Sequence, residues 1–223
     1  MKSYPFVIFL ILSSKISFGQ LNKFEIGIST GPSLISMRGN EIIDEFHKST
    51  IGFSAGSSFQ YHFTRVVTLR SDVTFERKGS ILRYNLTDMN GNSLGENTTR
   101  SRFDYFNFHV MAQANFGQKV SFFMNAGPYC GYLLQQTEVT EGDYVGHSAT
   151  NNSSLFKHLD FGITTGLGLA FPVKSNFALS LEVRNNLGIY NVSSLPVIND
   201  GTIKTNSTNL LLGISYKFGL KQD

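Results

Sequence analysis

Residues 51–63 read IGFSAGSSFQYHF and alternate without a break. Ile51, Phe53, Ala55, Ser57, Phe59, Tyr61 and Phe63 fall on one side; Gly52, Ser54, Gly56, Ser58, Gln60 and His62 fall on the other. A strand sends successive side chains to opposite faces, so one face wants hydrocarbon and the other polar company. The same period-2 pattern returns near 23–34, 66–79, 103–116, 120–135, 158–171, 177–190 and 208–218, which makes eight strands. A strand that crosses a bilayer needs about 9–11 residues, and these segments are long enough.

The connections alternate in length. Short ones fall at Thr64–Arg65, Gly117–Lys119 and Pro172–Asn176; long polar ones fall near 35–50, 80–102, 137–157 and 192–207, with room for the strands to run into them. Four long loops and three short turns are what an eight-stranded up-and-down barrel requires when both ends lie on the short-turn side. Closure matters in lipid, where an open edge leaves backbone groups unpaired.

The polar face decides between a barrel in water and a barrel in lipid. It is dominated by Gly and Ser with scattered charges, whereas a water-facing surface carries more Lys and Glu. Only 16% of the residues are charged, against roughly 25% in soluble domains. Small polar residues suit the narrow interior of eight strands, and large apolar ones suit a lipid-facing exterior. The expected fold is therefore all-β: an eight-stranded antiparallel up-and-down transmembrane barrel with its apolar face outward. The rival is a soluble ligand-binding barrel with the faces reversed.

Residues 1–19 read as a signal peptide. Lys2 supplies the basic start, 6–12 is the apolar stretch, and Ser17 and Gly19 are the small residues before a cut at Gln20. Residues 20–223 then form the barrel domain, with 17 basic against 16 acidic residues. That balance gives no reason to expect a nucleic-acid partner. The single cysteine, Cys130, excludes an intrachain disulfide and is expected to be buried.

Several segments resemble the PorT-like outer-membrane β-barrel family, whose members are often labelled porin-family proteins. They are TLRSDVTFERKGS at 68–80, FDYFNFHVMAQANFG at 103–117, FFMNAGPYCGYLL at 122–134, DFGITTGLGLAF at 160–171, LSLEVRNNLGIYNV at 179–192 and NLLLGISYKFG at 209–219. His109 stands where the family carries a proline. The resemblance implies an eight-stranded barrel in a Gram-negative outer membrane, no catalytic residues, and a role accessory to protein secretion.

The chemistry-bearing residues concentrate on the inward face. Arg70, Asp72 and Glu76 on the third strand face Glu182 and Arg184 on the seventh, and these strands lie opposite each other in a ring of eight. Buried charges require partners, so the cluster is expected to form a salt-bridged plug, helped by inward Phe123, Tyr129 and Leu133. The alternative is a narrow channel for small solutes. His62 and His109 also sit on the polar face, which keeps a lipid-modifying enzyme in view, although no spacing singles out a triad. Gly162, Gly166 and Gly168 lie on one strand face with no helix after them, so they do not form a phosphate loop. His47, His147 and His158 lack metal-ligand spacing. No cofactor or metal is implied.

Outward aromatics near strand ends, Phe63, Phe116, Phe171 and Tyr216, are expected at the membrane interfaces. The closing strand alternates up to Tyr216 and Phe218, which suits an assembly signal read by the barrel-assembly machinery, although five residues follow it. The expected partners are outer-membrane lipid and a protein met by the loops at 80–102 and 137–157.

Overall fold

The computed structural model describes residues 23–117, 119–142, 146–174, 176–197 and 200–219. The leader, its cleavage point at Gly19 and Gln20, and residues 220–223 lie outside the described residues. The chain forms eight long antiparallel strands: β1 Phe24–Arg38, β2 Thr50–His62, β3 Val67–Thr87, β4 Ser93–Phe116, β5 Ser121–Gly142, β6 Leu159–Pro172, β7 Phe177–Gly188 and β8 Lys204–Phe218. Each pairs with the next, and β8 pairs with β1, from Phe24 opposite Phe218 to Arg38 opposite Lys204, so the ring is closed.

The ladder fixes the barrel's dimensions. Stepping across partners from Phe24 passes Tyr61, Leu69, Ala112, Ala126, Thr165, Asn185 and Thr208, and returns to β1 at Leu34. The offset is ten residues over eight strands. With strand rise and spacing of about 3.3 and 4.8 Å, it sets a tilt of about 40° and a backbone radius of about 8 Å. Side chains fill a lumen that narrow.

The alternation predicted from sequence is the alternation of burial. Inward residues such as Arg70, Asp72, Thr74 and Glu76 on β3 are buried, while outward Val67, Leu69 and Val73 are exposed. Ile28 on β1 and Leu212 on β8 are each 64% exposed. Outward apolar residues recur on all eight strands and form a continuous belt. Such a belt on a water-facing surface would far exceed the apolar patches that monomers tolerate.

Two Gly-Pro pairs, Gly31–Pro32 in β1 and Gly127–Pro128 in β5, sit where the ladder is interrupted. A Cβ on Gly31 would lie 1.8 Å from the Leu210 carbonyl oxygen and one on Gly127 1.9 Å from that of Val110, so neighbouring backbones approach too closely for any side chain.

The strands take up most of the room that the long connections leave them. Much of 80–102 and 137–157 is strand. β3, β4 and β5 run 21, 24 and 22 residues, against 12 in β7, and rise beyond the ring as a tall sheet on one side. A short strand at Gly146–Asn151 adds to the free side of β5. The polar composition of these segments marks strands that have left the hydrocarbon on both faces, a case in which alternation of hydrophobicity disappears.

At the tip between β3 and β4, the Asp88 carboxylate accepts backbone N–H bonds from Asn90 and Asn92, each 2.8 Å, and a side-chain bond from Asn92. These donors hold its pKa below the usual 3.8. A depressed folded pKa means the contribution is complete above 3.8 and fades as pH falls through the lower folded value. Asp88→Ala is expected to loosen this tip alone. Amide exchange at Asn90 and Asn92 should rise, with exchange in the belt strands unchanged.

The loops on the long-loop side fold over the barrel mouth. α1, Glu41–Phe46, begins at Asn40, whose side chain accepts the Ile43 N–H at 2.9 Å. Ile43 joins Met37, Phe103, Tyr105, Leu133 and Val192 in an apolar cluster, with Phe156 and Ile203 packed against it. Phe103 and Phe156 meet edge to face, 4.7 Å between centroids.

Candidate functional site

The inward charges lie in layers along the lumen. At the short-turn end, an open cavity of about 500 Å³ is lined by Glu25, Gln60, His62, Asn115, Lys217 and others. His62 Nε2 lies 3.0 Å from Glu25 Oε2, and its other ring nitrogen contacts Thr68 Oγ1 at 2.8 Å.

Above the cavity, four charges from opposite walls meet. Arg70 donates twice to Asp72, at 2.9 and 2.8 Å, and once to Glu182, at 3.0 Å. Arg184 donates twice to Glu182, at 2.8 and 2.9 Å, and approaches Asp72 at 2.8 Å. Each carboxylate therefore touches both guanidiniums, and Asn125 adds a 3.0 Å bond to Glu182. These side chains alternate on β3 and β7, four strands apart, so closure alone brings them together.

Glu76, expected in the same cluster, belongs to the next layer. It accepts from Asn107 at 2.7 Å, from Asn186 at 3.1 Å and from Ser207 at 2.6 Å. The layer above holds two charges outside the cluster expected from sequence, Lys78 and Asp160. Lys78 Nζ donates to Asp160 Oδ2 at 2.9 Å and lies over the rings of Tyr129 and Tyr105, at 4.6 and 5.0 Å. Thr205 and Tyr129 also donate to Asp160, at 2.7 and 3.2 Å. Lys78 and Asp160 are wholly enclosed. Lys78 continues the even-numbered run of Arg70, Asp72 and Glu76, a signal that was available. That Asp160 would meet it depends on β6 facing β3 across the ring.

The remaining candidates fall apart spatially. His109 is buried on β4 against the Tyr129 ring, 5.7 Å between centroids, and among the described residues neither ring nitrogen has a hydrogen-bond partner. His62 lies nearer the short-turn end of the lumen, opposite Thr68, which pairs with Gln113, four residues beyond His109 on β4. Gly162, Gly166 and Gly168 face the lumen, where a Cβ would strike Tyr129, Asn125 or Glu182, and Phe123 respectively. Phe123, Tyr129 and Leu133 are buried inside. Cys130, expected to be buried, is instead partly exposed on the lipid-facing side, between Phe108 and Phe161. Phe63, Phe116, Phe171 and Tyr216 are exposed near strand ends, and Tyr216 stacks against Phe218, 6.4 Å between centroids.

A closed ring of eight strands, apolar outside and ionic within, defines an integral barrel of outer-membrane type. A family model for the outer membrane protein beta-barrel domain matches residues 15–194, and the chain belongs to that family. No curated protein matches it. Among solved structures, Neisserial surface protein A (NspA) superposes with a TM-score of 0.50 at 18% identity, covering 90% of this chain and 99% of that one. Ail, the attachment invasion locus protein of Yersinia pestis, gives 0.42 at 14%, covering 88% and 99%. OprG from Pseudomonas aeruginosa gives 0.42 at 11%, covering 89% and 98%. At these identities the likeness to NspA concerns the fold.

Proposed function

We propose that this barrel is a closed surface scaffold. It is held in outer-membrane lipid, its lumen is plugged by side chains, and its tall sheet is offered to a protein partner. One observation carries the reading: the enclosed Lys78–Asp160 layer lies between the open cavity and the capped mouth. An ion crossing the lumen would have to break that pair, the tyrosine contacts around it and the apolar cluster above. Arg70, Asp72, Glu182 and Arg184 act in this reading as a structural plug, and no catalytic step is involved. Loops and raised elements on a rigid frame are where partners bind. An accessory role in protein secretion, implied by the PorT resemblance, is one form of such a partnership.

The refolded protein in planar bilayers is expected to give no steady open steps. Regular steps of uniform size would replace the scaffold with the narrow channel. Export completes the reading: residues 1–19 are removed, Gln20 becomes the first residue, and Tyr216 and Phe218 are read by the barrel-assembly machinery. The intact mass of protein from purified outer membranes should match a chain beginning at Gln20; a mass that retains the leader would refute the cut.

A further inference from the structure

We propose that the outward face of β3 and β4, just above the apolar belt, binds the phosphate of an outer-leaflet lipid headgroup. The belt ends there on the cross-strand pair Phe75 and Phe106, whose rings meet edge to face at 6.1 Å. The next outward pair is Arg77 and Asp104, joined by two bonds of 2.6 and 2.8 Å. One step further, about 7 Å along the strand, stands Arg102, between Gly79 on β3 and Thr137 on β5. Arg100 follows, bonded to Glu141 at 2.6 Å, and then Arg83 opposite Thr98.

Arg77 and Arg100 are thus each compensated by a carboxylate. Arg83 and Arg102 are exposed, and among the described residues they form no ion pair. Glu96, the other carboxylate on this face, stands higher, opposite Asn85. Gly79 presents no side chain opposite Arg102. Its φ is +150°, and a Cβ would lie 1.9 Å from the Ser101 carbonyl oxygen, so the strands approach too closely for a side chain and none stands over the Arg102 guanidinium from this position.

The height selects the ligand. Arg102 stands one residue pair beyond the last ion pair above the hydrocarbon-facing aromatics, at the level where headgroup phosphates lie. Guanidinium forks match phosphate oxygens in geometry as well as charge. The acyl chains of the same lipid would run down the belt past Phe75 and Phe106. A soluble acidic partner would need arginines clear of the bilayer, and Arg102 is not.

The test is native mass spectrometry of the full chain released from nanodiscs. The lipids are lipid A (a diphosphorylated acyl disaccharide), the same lipid stripped of phosphate, and phosphatidylcholine. The wild type should retain lipid A, and the stripped lipid should be retained at least fivefold less. The double variant Arg83→Gln, Arg102→Gln should lose retention by a similar factor, and Lys174→Gln at a short turn should not. Heat-modifiable migration on gels verifies that each variant is folded. Retention that ignores either the phosphate or the two arginines overturns the proposal. So does dextran sulfate binding to the nanodisc-embedded protein through the same arginines, since the face would then belong to a soluble partner.

Discussion

Arg184→Met should destabilise the barrel by about 3–5 kcal/mol, because it breaks a buried ion network by removing one partner. Asp72 and Glu182 would then share Arg70 alone, with Asn125 the remaining neutral donor to Glu182. Methionine fills much of the volume, so lost charge rather than lost packing dominates. The chain has no tryptophan, so unfolding is best followed in lipid vesicles by the fraction of protein that keeps heat-modifiable migration as urea rises. Lys217→Met, at the half-exposed rim beside Glu25, is the contrast, since exposed pairs contribute about 0–1 kcal/mol. Pairing Arg184→Met with Glu182→Leu leaves Arg70 and Asp72 matched one to one, and most of the loss should return. If Arg184→Met alone cost less than Lys217→Met, the layer would be bathed in water and the plug reading would fail.

Leu181→Arg should cost about 2–4 kcal/mol, the penalty for a cation at the midplane of a lipid-facing barrel wall. Leu181 points outward near the middle of β7, between Leu169 on β6 and Leu212 on β8. The same change at Leu134, near the long-loop end of the belt, should cost about 0–1 kcal/mol, because penalties fall toward the interface. The vesicle assay reads both. Equal costs at the two depths would contradict a bilayer around this belt, since only hydrocarbon makes the cost depend on depth.

Why the strands were legible is plain from β2. Ile51 to Phe63 carry a full apolar face because lipid covers one side and a packed lumen the other, and each solvent selects its own residue type. How far the strands continue into 80–87, 95–102 and 137–142 was not legible, for the opposite reason. Both faces of that sheet lie beyond the hydrocarbon, so backbone pairing holds it and side-chain polarity leaves no period. The lumen cluster followed from parity and ring position for Arg70, Asp72, Glu182 and Arg184. Glu76 went astray because parity gives the face and not the height, and the tilt of about 40° carries each strand past different partners at each level. Asp160 shows the same limit. Its parity was legible, but its height relative to Lys78 depends on offsets accumulated across the intervening strands.

That accumulated offset has a consequence for assembly. The register of the seam between β1 and β8 is fixed by the seven other ladders, and it joins Phe24 to Phe218 only if their offsets add up to ten residues. A slip of two residues at any one ladder would keep every face correct, yet it would arrive at the seam as a two-residue mismatch that strands Phe24 away from Phe218. The last pairing therefore works as a checksum on all the others. A chain with a local error can pair almost everywhere and still fail to shut, which leaves it open to correction before it is sealed.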